Sequence, residues 1–464
     1  MPRTFIDLFA GIGGFHWALK DLGYECLLAV EQDDAAKEVY KRNFPEAERP
    51  GEKVLNRLVG DIRTLTRNDA QNQDTELKPV ELTERLEKGY NIKKGDVGII
   101  CGGFPCQPFS KSGQQKGDKD KTRGTLFRDI LLLTRALEPD YLILENVRNL
   151  AGKKHVDTLA TIITSIRSLG YEIENEPIIL SPHQLTKKYG SPQIRERVFI
   201  LARRVGLKAG ASPSRVAKDV EFLKESAKIT WDAGSILCSN VPAKFRLNKS
   251  ERGWIAIWEK FLRITEGMKL PGHPIWTDDF ERPPNENAKL PKWKKHFLKL
   301  NHDFYREIIK DPKRRKAMKR WLRSLQKEKK DSEREDARVI PASRRKFEWQ
   351  ANRAFMNGEK RTLRKLLIQF RPSGIRVKPA THFPALVAIT QTAVIGPLVG
   401  SETGRKHFRY LTPKEAARLQ GMHDIEFGTQ PDSLSYKQLG NAVNVGVIRY
   451  LAERLTGNVP CGRR

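Results

Sequence analysis

The segment Phe5-Ile6-Asp7-Leu8-Phe9-Ala10-Gly11-Ile12-Gly13-Gly14 decides the fold class of this chain. Its apolar start predicts a buried strand, and its glycines precede an apolar stretch with helical spacing at 15–21. A glycine-rich turn between a strand and a helix lets a bound molecule approach the backbone at the helix N-terminus. The glycine spacing differs from G-x-G-x-x-G, so the segment alone predicts only a strand, a turn and a helix.

The same alternation recurs through the first 200 residues. Helix-like stretches at 15–21 and 35–43 accompany apolar runs that predict strands at 4–9, 27–31, 97–101, 141–145 and 198–202. This βαβ pattern is typical of a parallel sheet, in which ligands bind beyond the carboxyl ends of the strands. The polar stretch at 64–94 is expected to form a surface excursion.

The composition is that of a folded and strongly basic protein. The 464 residues suffice for two or more domains, and 39% hydrophobic with 30% charged residues is ordinary for a globular chain. Lys plus Arg number 85 against 56 Asp plus Glu, which gives a net charge of +29. This excess favours nucleic acid as a partner over a membrane surface or a merely solvated surface.

Several features predict a cytoplasmic protein. No apolar run of 18 residues occurs and the N-terminus enters a strand-like stretch directly, so neither a membrane span nor a signal peptide is expected. The five cysteines are odd in number and scattered, which argues for a reducing compartment and against disulfides. They lack the paired spacing of a zinc site, and no metal is expected.

The chain changes character at about residue 205, where Trp, Lys and Arg become dense. Two stretches with helical spacing of apolar residues occur there, at 297–308 and 318–325, with Lys and Arg on the remaining faces. Their aromatic residues are expected in a core rather than as base-stacking platforms. Residues 327–338 mix both charges, which indicates a solvated helix end or linker, and helical patterns return from 412 onward.

Three further positions suggest a ligand site. Glu31 follows Gly11 by 20 residues and ends the next predicted strand, where a carboxylate can accept hydrogen bonds from both ribose hydroxyls of an adenosine. Gly60-Asp61-Ile62 offers another carboxylate, suited to an adenine amino group or simply part of a turn. In Gly102-Gly103-Phe104-Pro105-Cys106-Gln107, a strand end, two glycines and Pro105 would present the Cys106 sulfur, although a lone Cys is often only structural.

Together these segments resemble the DNA cytosine-5 methyltransferases, which use S-adenosylmethionine. The resemblance continues through Arg-Gly-Thr-Leu-Phe at 123–127, Glu-Asn-Val at 145–147, the run from Tyr-Gly to Arg-Glu-Arg at 189–197, and the segments 411–421 and 438–443. It covers roughly residues 1–203 and 409–450. One departure is Ser181-Pro182-His183, where family members often have an Asn-Ala pair.

The resemblance implies a fold and a domain plan. The fold is α/β: a doubly wound, Rossmann-like methyltransferase domain with an inserted mixed, basic target recognition domain. Residues 1–203 and 430–464 would form the catalytic, cofactor-binding domain. Residues 204–429 would form the target recognition domain and hinge.

The resemblance also implies the chemistry. Cys106 would add to carbon 6 of cytosine, because carbon 5 alone is too poor a nucleophile. Glu145, kept protonated by burial, would donate to ring nitrogen 3. Arg195 and Arg197 would favour the thiolate, and Gln193 would help them to organise the base pocket. The residues expected to bind S-adenosylmethionine are Phe9, Gly11, Gly13, Gly14, Glu31, Asp61, Ile62, Pro105, Leu126, Asn441 and Val443.

Double-stranded DNA is the expected partner, with the target base flipped out of the duplex. Base-edge readout is assigned to Arg344, Arg345, Arg371 and Arg376. A restriction endonuclease is the expected functional counterpart, and a monomer is the expected state. Two alternatives stay open: a catalytically silent DNA-binding protein on the same fold, and methylation of tRNA by the same chemistry. The target sequence is not readable from the chain.

Overall fold

The computed structural model describes residues 2–47, 57–68, 75–105, 124–207, 211–226, 229–282, 289–326, 340–355, 359–387, 393–400 and 406–457. The chain divides into two compact units. Unit 1 comprises Met1–Trp231, Pro384–Thr390 and Ala416–Arg464. Unit 2 comprises Asp232–Phe383 and Gln391–Glu415.

The strands and helices follow in chain order. The first part contains β1 (Thr4–Leu8), α1 (Gly14–Lys20), β2 (Glu25–Val30), α2 (Asp34–Asn43), β3 (Leu58–Val59), α3 (Arg63–Thr66), α4 (Pro79–Tyr90), β4 (Ile99–Gly103), α5 (Gly124–Leu137), β5 (Tyr141–Val147), α6 (Val156–Ser168), β6 (Tyr171–Ile173), β7 (Ile178–Leu180), β8 (Gln193–Ile194), β9 (Arg197–Arg204) and α7 (Pro213–Ser226). The middle part contains α8 (Lys249–Ile264), β10 (Ile275–Trp276), α9 (Lys292–Ile309), α10 (Pro312–Gln326), β11 (Lys346–Trp349), β12 (Leu366–Arg371), β13 (Gly374–Pro379), β14 (Phe383–Pro384), β15 (Ala393–Ile395) and β16 (Arg409–Tyr410). The last part contains α11 (Pro413–Leu419), α12 (Asp432–Asn441) and α13 (Val445–Thr456).

Unit 1 is built on an eight-stranded sheet in the order β3-β2-β1-β4-β5-β9-β6, with β7 also paired to β9. The strands from β3 to β5 are parallel. The chain reverses its direction of travel across the sheet between β1 and β4, which is the switch point where doubly wound sheets bind ligands. The expected α/β, Rossmann-like fold is therefore confirmed.

One edge of this sheet departs from the expected parallel arrangement. The predicted strand at 198–202 lies within β9, which runs antiparallel to β5, β6 and β7. No α-helix separates β6, β7 and β9 along the chain, and antiparallel strands need no helical crossover. The apolar run identified the strand but carried no information about its direction.

The expected surface excursion at 64–94 is wrong for α4. Leu82 and Leu86 of this helix are fully buried in the core of unit 1, and α4 packs against α5. The helix begins with Pro79 and a hydrogen bond from the Lys78 backbone N–H to the Glu81 carboxylate (2.8 Å). Two apolar residues four positions apart suffice to bury one face of an otherwise charged helix.

The division between the units differs from the domain plan drawn from the sequence. The helix α7, expected in the inserted domain, belongs to unit 1, where it packs against α13 and β9. Its Val216 and Val220 are buried there. The second division falls between Glu415 and Ala416 rather than at 429/430.

Unit 2 contains a six-stranded sheet in the order β10-β11-β13-β12-β15-β16. The helices α8, α9 and α10 supply its aromatic core, in which the Trp258 ring stacks on Phe347 with centroids 4.3 Å apart. Trp321 and Met318 of α10 are buried in the same core, so the expected core role of this apolar face is confirmed. The expected linker at 327–338 lies outside the described residues.

Among the described residues, no helix combines the length and the apolar character that crossing a membrane requires.

Candidate active site

A cavity of about 220 Å³ opens in unit 1 at the carboxyl ends of the central strands. Seven of the residues predicted for the cofactor or for catalysis line it: Phe9, Gly11, Gly14, Glu31, Glu145, Asn441 and Val443. The remaining cofactor predictions, Gly13, Asp61, Ile62, Pro105 and Leu126, do not contribute to its lining. Asp33, Lys437 and Gln438 also line it, and the sequence predicted none of them as site residues, although Gln438 begins the motif at 438–443 and Lys437 precedes it.

The turn after β1 is held by Glu31. The backbone N–H of Gly11 donates to Glu31 Oε2 (2.7 Å), and the backbone N–H of Asp33 donates to Glu31 Oε1 (2.7 Å). Phe9 and Gly11 both adopt left-handed backbone conformations, with φ values of 59° and 56°. A non-glycine residue in this region is strained, and such strain concentrates at functional sites. Glu31 therefore orders the turn and leaves its carboxylate at the cavity wall.

Gly14 is needed for a close approach of the chain to itself. A Cβ atom at this position would lie 2.6 Å from Cγ2 of Val443. Only a glycine lets the start of α1 pack against the segment between α12 and α13. Gly14 thus brings the C-terminal side of the cavity to the β1 turn. Gly13 has a similar packing role, since its Cβ would lie 2.2 Å from the Phe44 ring.

Glu145 occupies the end of β5 opposite Gly103 and is 8% exposed. Burial raises the pKa of its carboxyl, and the nearby Arg197 and Arg195 only partly oppose that rise. Arg197 Nε lies 3.0 Å from Glu145 Oε1. The site therefore holds a carboxyl group whose pKa is raised by burial and whose position is fixed by an arginine.

Asn146 connects Glu145 to the segment that precedes Cys106. Its side-chain amide donates to the Phe104 carbonyl oxygen (2.9 Å). The predicted nucleophile Cys106 itself lies outside the described residues, as do its neighbours through residue 123. Asn146 was quoted in the Glu-Asn-Val motif without a role. Its hydrogen bond holds the backbone at Phe104, two residues before Cys106.

Arg195 joins the same site to the C-terminal segment. This residue is 2% exposed, and its guanidinium donates to the carbonyl oxygens of Gly440 (2.8 Å), Ala442 (2.9 Å) and Leu386 (3.1 Å). Burial, together with the charge of Arg197, lowers its pKa to about 9. The two carbonyl groups at 440 and 442 flank Asn441, so Arg195 positions a wall of the cavity.

Two other predicted site residues, Asp61 and Gln193, do not line the cavity. Asp61 forms an ion pair with Arg63 (2.6 Å); although burial raises the pKa of Asp61, its bonds to Arg63 lower it on balance. Gln193 is fully buried, and neither end of its side-chain amide has a hydrogen-bond partner among the described residues. A buried amide of this kind can bond to a partner that joins the site later.

The sequence of the chain matches a known protein family. The model of the C-5 cytosine-specific DNA methylase family matches residues 3–457. The chain belongs to this family. The methylase is thus a DNA (cytosine-5-)-methyltransferase, and the family uses S-adenosylmethionine as methyl donor.

Curated relatives and solved structures agree with this assignment. The type II methyltransferase M.AluI of Cellulosimicrobium cellulans is 36% identical, over 97% of this chain and 91% of its own length. M.HgiCI of Herpetosiphon aurantiacus is 28% identical, over 96% of each chain. Dnmt2 of S. pombe superposes with a TM-score of 0.50 at 15% identity, covering 98% of this chain and 99% of that one, which shows the fold alone. The methylase is of the restriction-modification type.

The four arginines predicted for base readout lie in unit 2 of the methylase, each in contacts within that unit. Arg344 lies 5.0 Å from the Trp254 ring and 5.1 Å from the Phe370 ring, and it donates to the Arg371 carbonyl oxygen. Arg345 pairs with Asp278 (3.2 Å). Arg376 and Arg371 approach one carboxylate, that of Glu348, at 2.8 and 3.8 Å.

Proposed function

We propose that this methylase transfers a methyl group from S-adenosylmethionine to carbon 5 of a cytosine flipped out of duplex DNA, through a covalent adduct of Cys106. The observation that carries the proposal is Glu145. Its buried carboxyl, with a raised pKa, lines the same cavity as the β1 turn and Glu31. A proton donor for the base and a binding site for an adenosine would thus share one cavity.

The cavity walls fit the cofactor. Each Glu31 oxygen accepts one backbone hydrogen bond, which leaves each a second lone pair for a ribose hydroxyl. Phe9 and the backbone of Gly11 would contact the adenosine, while Asn441 and Val443 would contact the amino-acid end. When bound, S-adenosylmethionine supplies an electrophilic methyl group.

The protein groups then act in order. The Cys106 thiolate forms a bond to carbon 6, and the electron pair displaced from the C5=C6 bond makes carbon 5 nucleophilic. Glu145 donates its proton toward ring nitrogen 3 and so neutralises the charge that develops there. Carbon 5 takes the methyl group, and the donor would leave as its neutral thioether. A base then removes the carbon 5 proton, the C5=C6 bond re-forms, the thiolate leaves, and the proton on ring nitrogen 3 returns to Glu145.

The arginines have separate roles in this scheme. Arg197 fixes Glu145 and would contact the flipped base, whereas Arg195 acts through the backbone it binds. Both place positive charge in unit 1 near Glu145, which would favour the thiolate form of Cys106.

Flipping the base costs a few kcal/mol, and phosphate contacts of a chain with a net charge of +29 can offset that cost. Of the four arginines predicted for base readout, we propose that Arg371 and Arg376 contact the base edges. These two cations share the single carboxylate of Glu348, so positive charge remains for DNA.

We further infer that the enzyme acts as a monomer, because one flipped cytosine needs no two-fold protein symmetry. It would protect host DNA from a restriction endonuclease of matching specificity.

A trapping experiment tests the covalent mechanism. Duplex DNA that carries 5-fluorocytosine, incubated with S-adenosylmethionine, should form a denaturant-stable adduct with the wild-type enzyme. Cys106→Ser and Cys106→Ala should form none, while Cys238→Ser, the same change at a half-buried cysteine of unit 2, should behave as wild type. An adduct formed at the wild-type level by Cys106→Ala would refute the assignment. Preferential methyl transfer to tRNA would refute the DNA substrate.

A further inference from the structure

The helix α10 presents a continuous row of positive charge on its solvent face. We call the exposed side chains of Lys313, Lys316, Lys319, Arg320 and Arg323 the α10 stripe. The opposite face of the helix is buried in the core of unit 2. Positions 313, 316, 320 and 323 follow the three- and four-residue spacing of one helix face. The fold of unit 2 thus fixes which way these charges point.

The α10 stripe has no internal neutralisation in the described structure. The helix sequence contains no Asp or Glu, and none of the ion pairs between described residues involves the five side chains. Some other cations of unit 2 do have carboxylate partners, among them Lys310 with Glu307 (2.6 Å) and Lys365 with Glu359 (2.6 Å).

This arrangement opposes helix stability. Like charges three or four residues apart cost a few tenths of a kcal/mol per pair, and positive charge in the first helical turn opposes the helix dipole. Neighbouring cations such as Arg314 and Arg315 do serve the fold, since they donate to the carbonyl oxygens of Glu266 and Ile309. No hydrogen bond between described residues involves the stripe. Within the part of the chain that the structure describes, this face therefore meets only like charge, which favours a partner of opposite charge.

The chemistry of the face identifies the partner. A helix that binds a membrane surface inserts apolar side chains, but the apolar side of α10 is already buried in the protein core. The interval from Lys313 to Arg323 is about 15 Å of helix, a length over which duplex DNA carries roughly nine phosphate charges.

We propose that the α10 stripe binds the sugar-phosphate backbone of duplex DNA, independently of sequence and separately from base readout. This rests on duplex DNA being the substrate of the proposed function. The contact adds affinity for any duplex, which supports movement of the enzyme along DNA between target sites.

The test uses the full-length enzyme and a duplex of about 30 base pairs that contains only A·T pairs and hence no cytosine. The variant combines Lys316→Gln, Arg320→Gln and Arg323→Gln, changes that keep helix propensity at exposed positions. Its matched control combines Arg215→Gln, Lys218→Gln and Lys224→Gln, three exposed positions of α7, a helix that carries both signs of charge. Both remove three positive charges.

The dissociation constant is measured from about 50 to 200 mM salt. Loss of three phosphate contacts should lower the slope of log K against log salt by about 2.7 in magnitude and weaken binding about tenfold or more at low salt. The control should keep the wild-type slope. Equal effects in both variants would mean that only the net charge of the protein matters, and would overturn the proposal. An unchanged slope in the α10 variant would overturn it as well.

Two further measurements separate the proposals. If the α10 variant loses binding to phosphatidylserine vesicles more than to DNA, the partner is a membrane and the assignment fails. Adduct formation with 5-fluorocytosine DNA at saturating enzyme should persist in the α10 variant. Absence of the adduct in the wild type would instead refute the Cys106 mechanism and leave the binding result intact.

Discussion

Replacing Glu145 by Gln is the sharpest test of the candidate site. In the wild-type protein, Arg197 Nε lies 3.0 Å from Glu145 Oε1. Gln keeps an oxygen that can accept this hydrogen bond, so the pocket geometry should persist. What the change removes is the ionisable proton. General acid catalysis contributes roughly 10²- to 10⁴-fold to a rate, which corresponds to about 3–5 kcal/mol of transition-state stabilisation.

The pH dependence sharpens this prediction. Burial raises the pKa of Glu145, so wild-type turnover should fall as pH rises through that pKa, while ionisation of Cys106 raises turnover from the acidic side. The Glu145→Gln variant should keep the rise of turnover on the acidic side and lose the fall at higher pH. The folded protein also binds the Glu145 proton more tightly than the unfolded chain does. That contribution to stability is therefore complete below the ordinary Glu pKa of about 4.3 and is lost as pH rises through the raised pKa.

Single-turnover transfer of tritiated methyl groups measures the effect without interference from product release. The matched control is Glu172→Gln, which removes a carboxylate whose Oε2 lies 2.8 Å from Arg203 Nη2, an arginine also on β9. That pair is partly exposed, so its loss should cost less than about 1 kcal/mol and leave the rate unchanged. A Glu145→Gln rate within fivefold of wild type, with the alkaline limb preserved, would refute the assignment of Glu145 as the acid.

Two other substitutions probe how the cavity is held. Arg195→Lys should raise the dissociation constant for S-adenosylmethionine at least about tenfold by calorimetry, since one ammonium cannot replace three carbonyl contacts of about 1.5–3 kcal/mol each. Arg203→Lys serves as control, and lowered thermal stability with unchanged cofactor affinity would contradict a positioning role. Glu31→Gln should weaken cofactor binding by a similar factor, because one backbone donor, of Gly11 or Asp33, then faces an amide NH₂ group. Equal kcat at saturating cofactor is expected, and a change confined to kcat would contradict the assignment.

Short sequence patterns predicted the strands and helices of unit 1 well, because such patterns reflect which residues are buried. The run at 141–145 is fully enclosed within β5, and the glycines after β1 mark a turn that requires left-handed backbone. Glu31 was found because its spacing from Gly11 reflects the length of one strand-helix unit. Each of these signals is contained within one strand, one turn or one helix-strand unit, where sequence distance and spatial distance still correspond.

Contacts between distant segments left no such signal. The Arg195 guanidinium binds carbonyl oxygens at 440 and 442, and backbone acceptors carry no residue-type signature. Arg344 was assigned to DNA from its residue type and its basic surroundings, and its packing against the Trp254 and Phe370 rings had no local signal in the sequence. The direction of β9 likewise depends on which strands it pairs with, which a run of apolar residues does not encode.

The packing of α13 against α1 has a consequence for the order of synthesis. A ribosome completes all of unit 2 before it makes α12, yet Lys437, Asn441 and Val443 line the cavity that begins at Phe9. A nascent chain that already displays its basic surface therefore lacks one wall of the methyl-donor site. The cavity is thus complete only once the last two helices have been synthesised and have folded against unit 1.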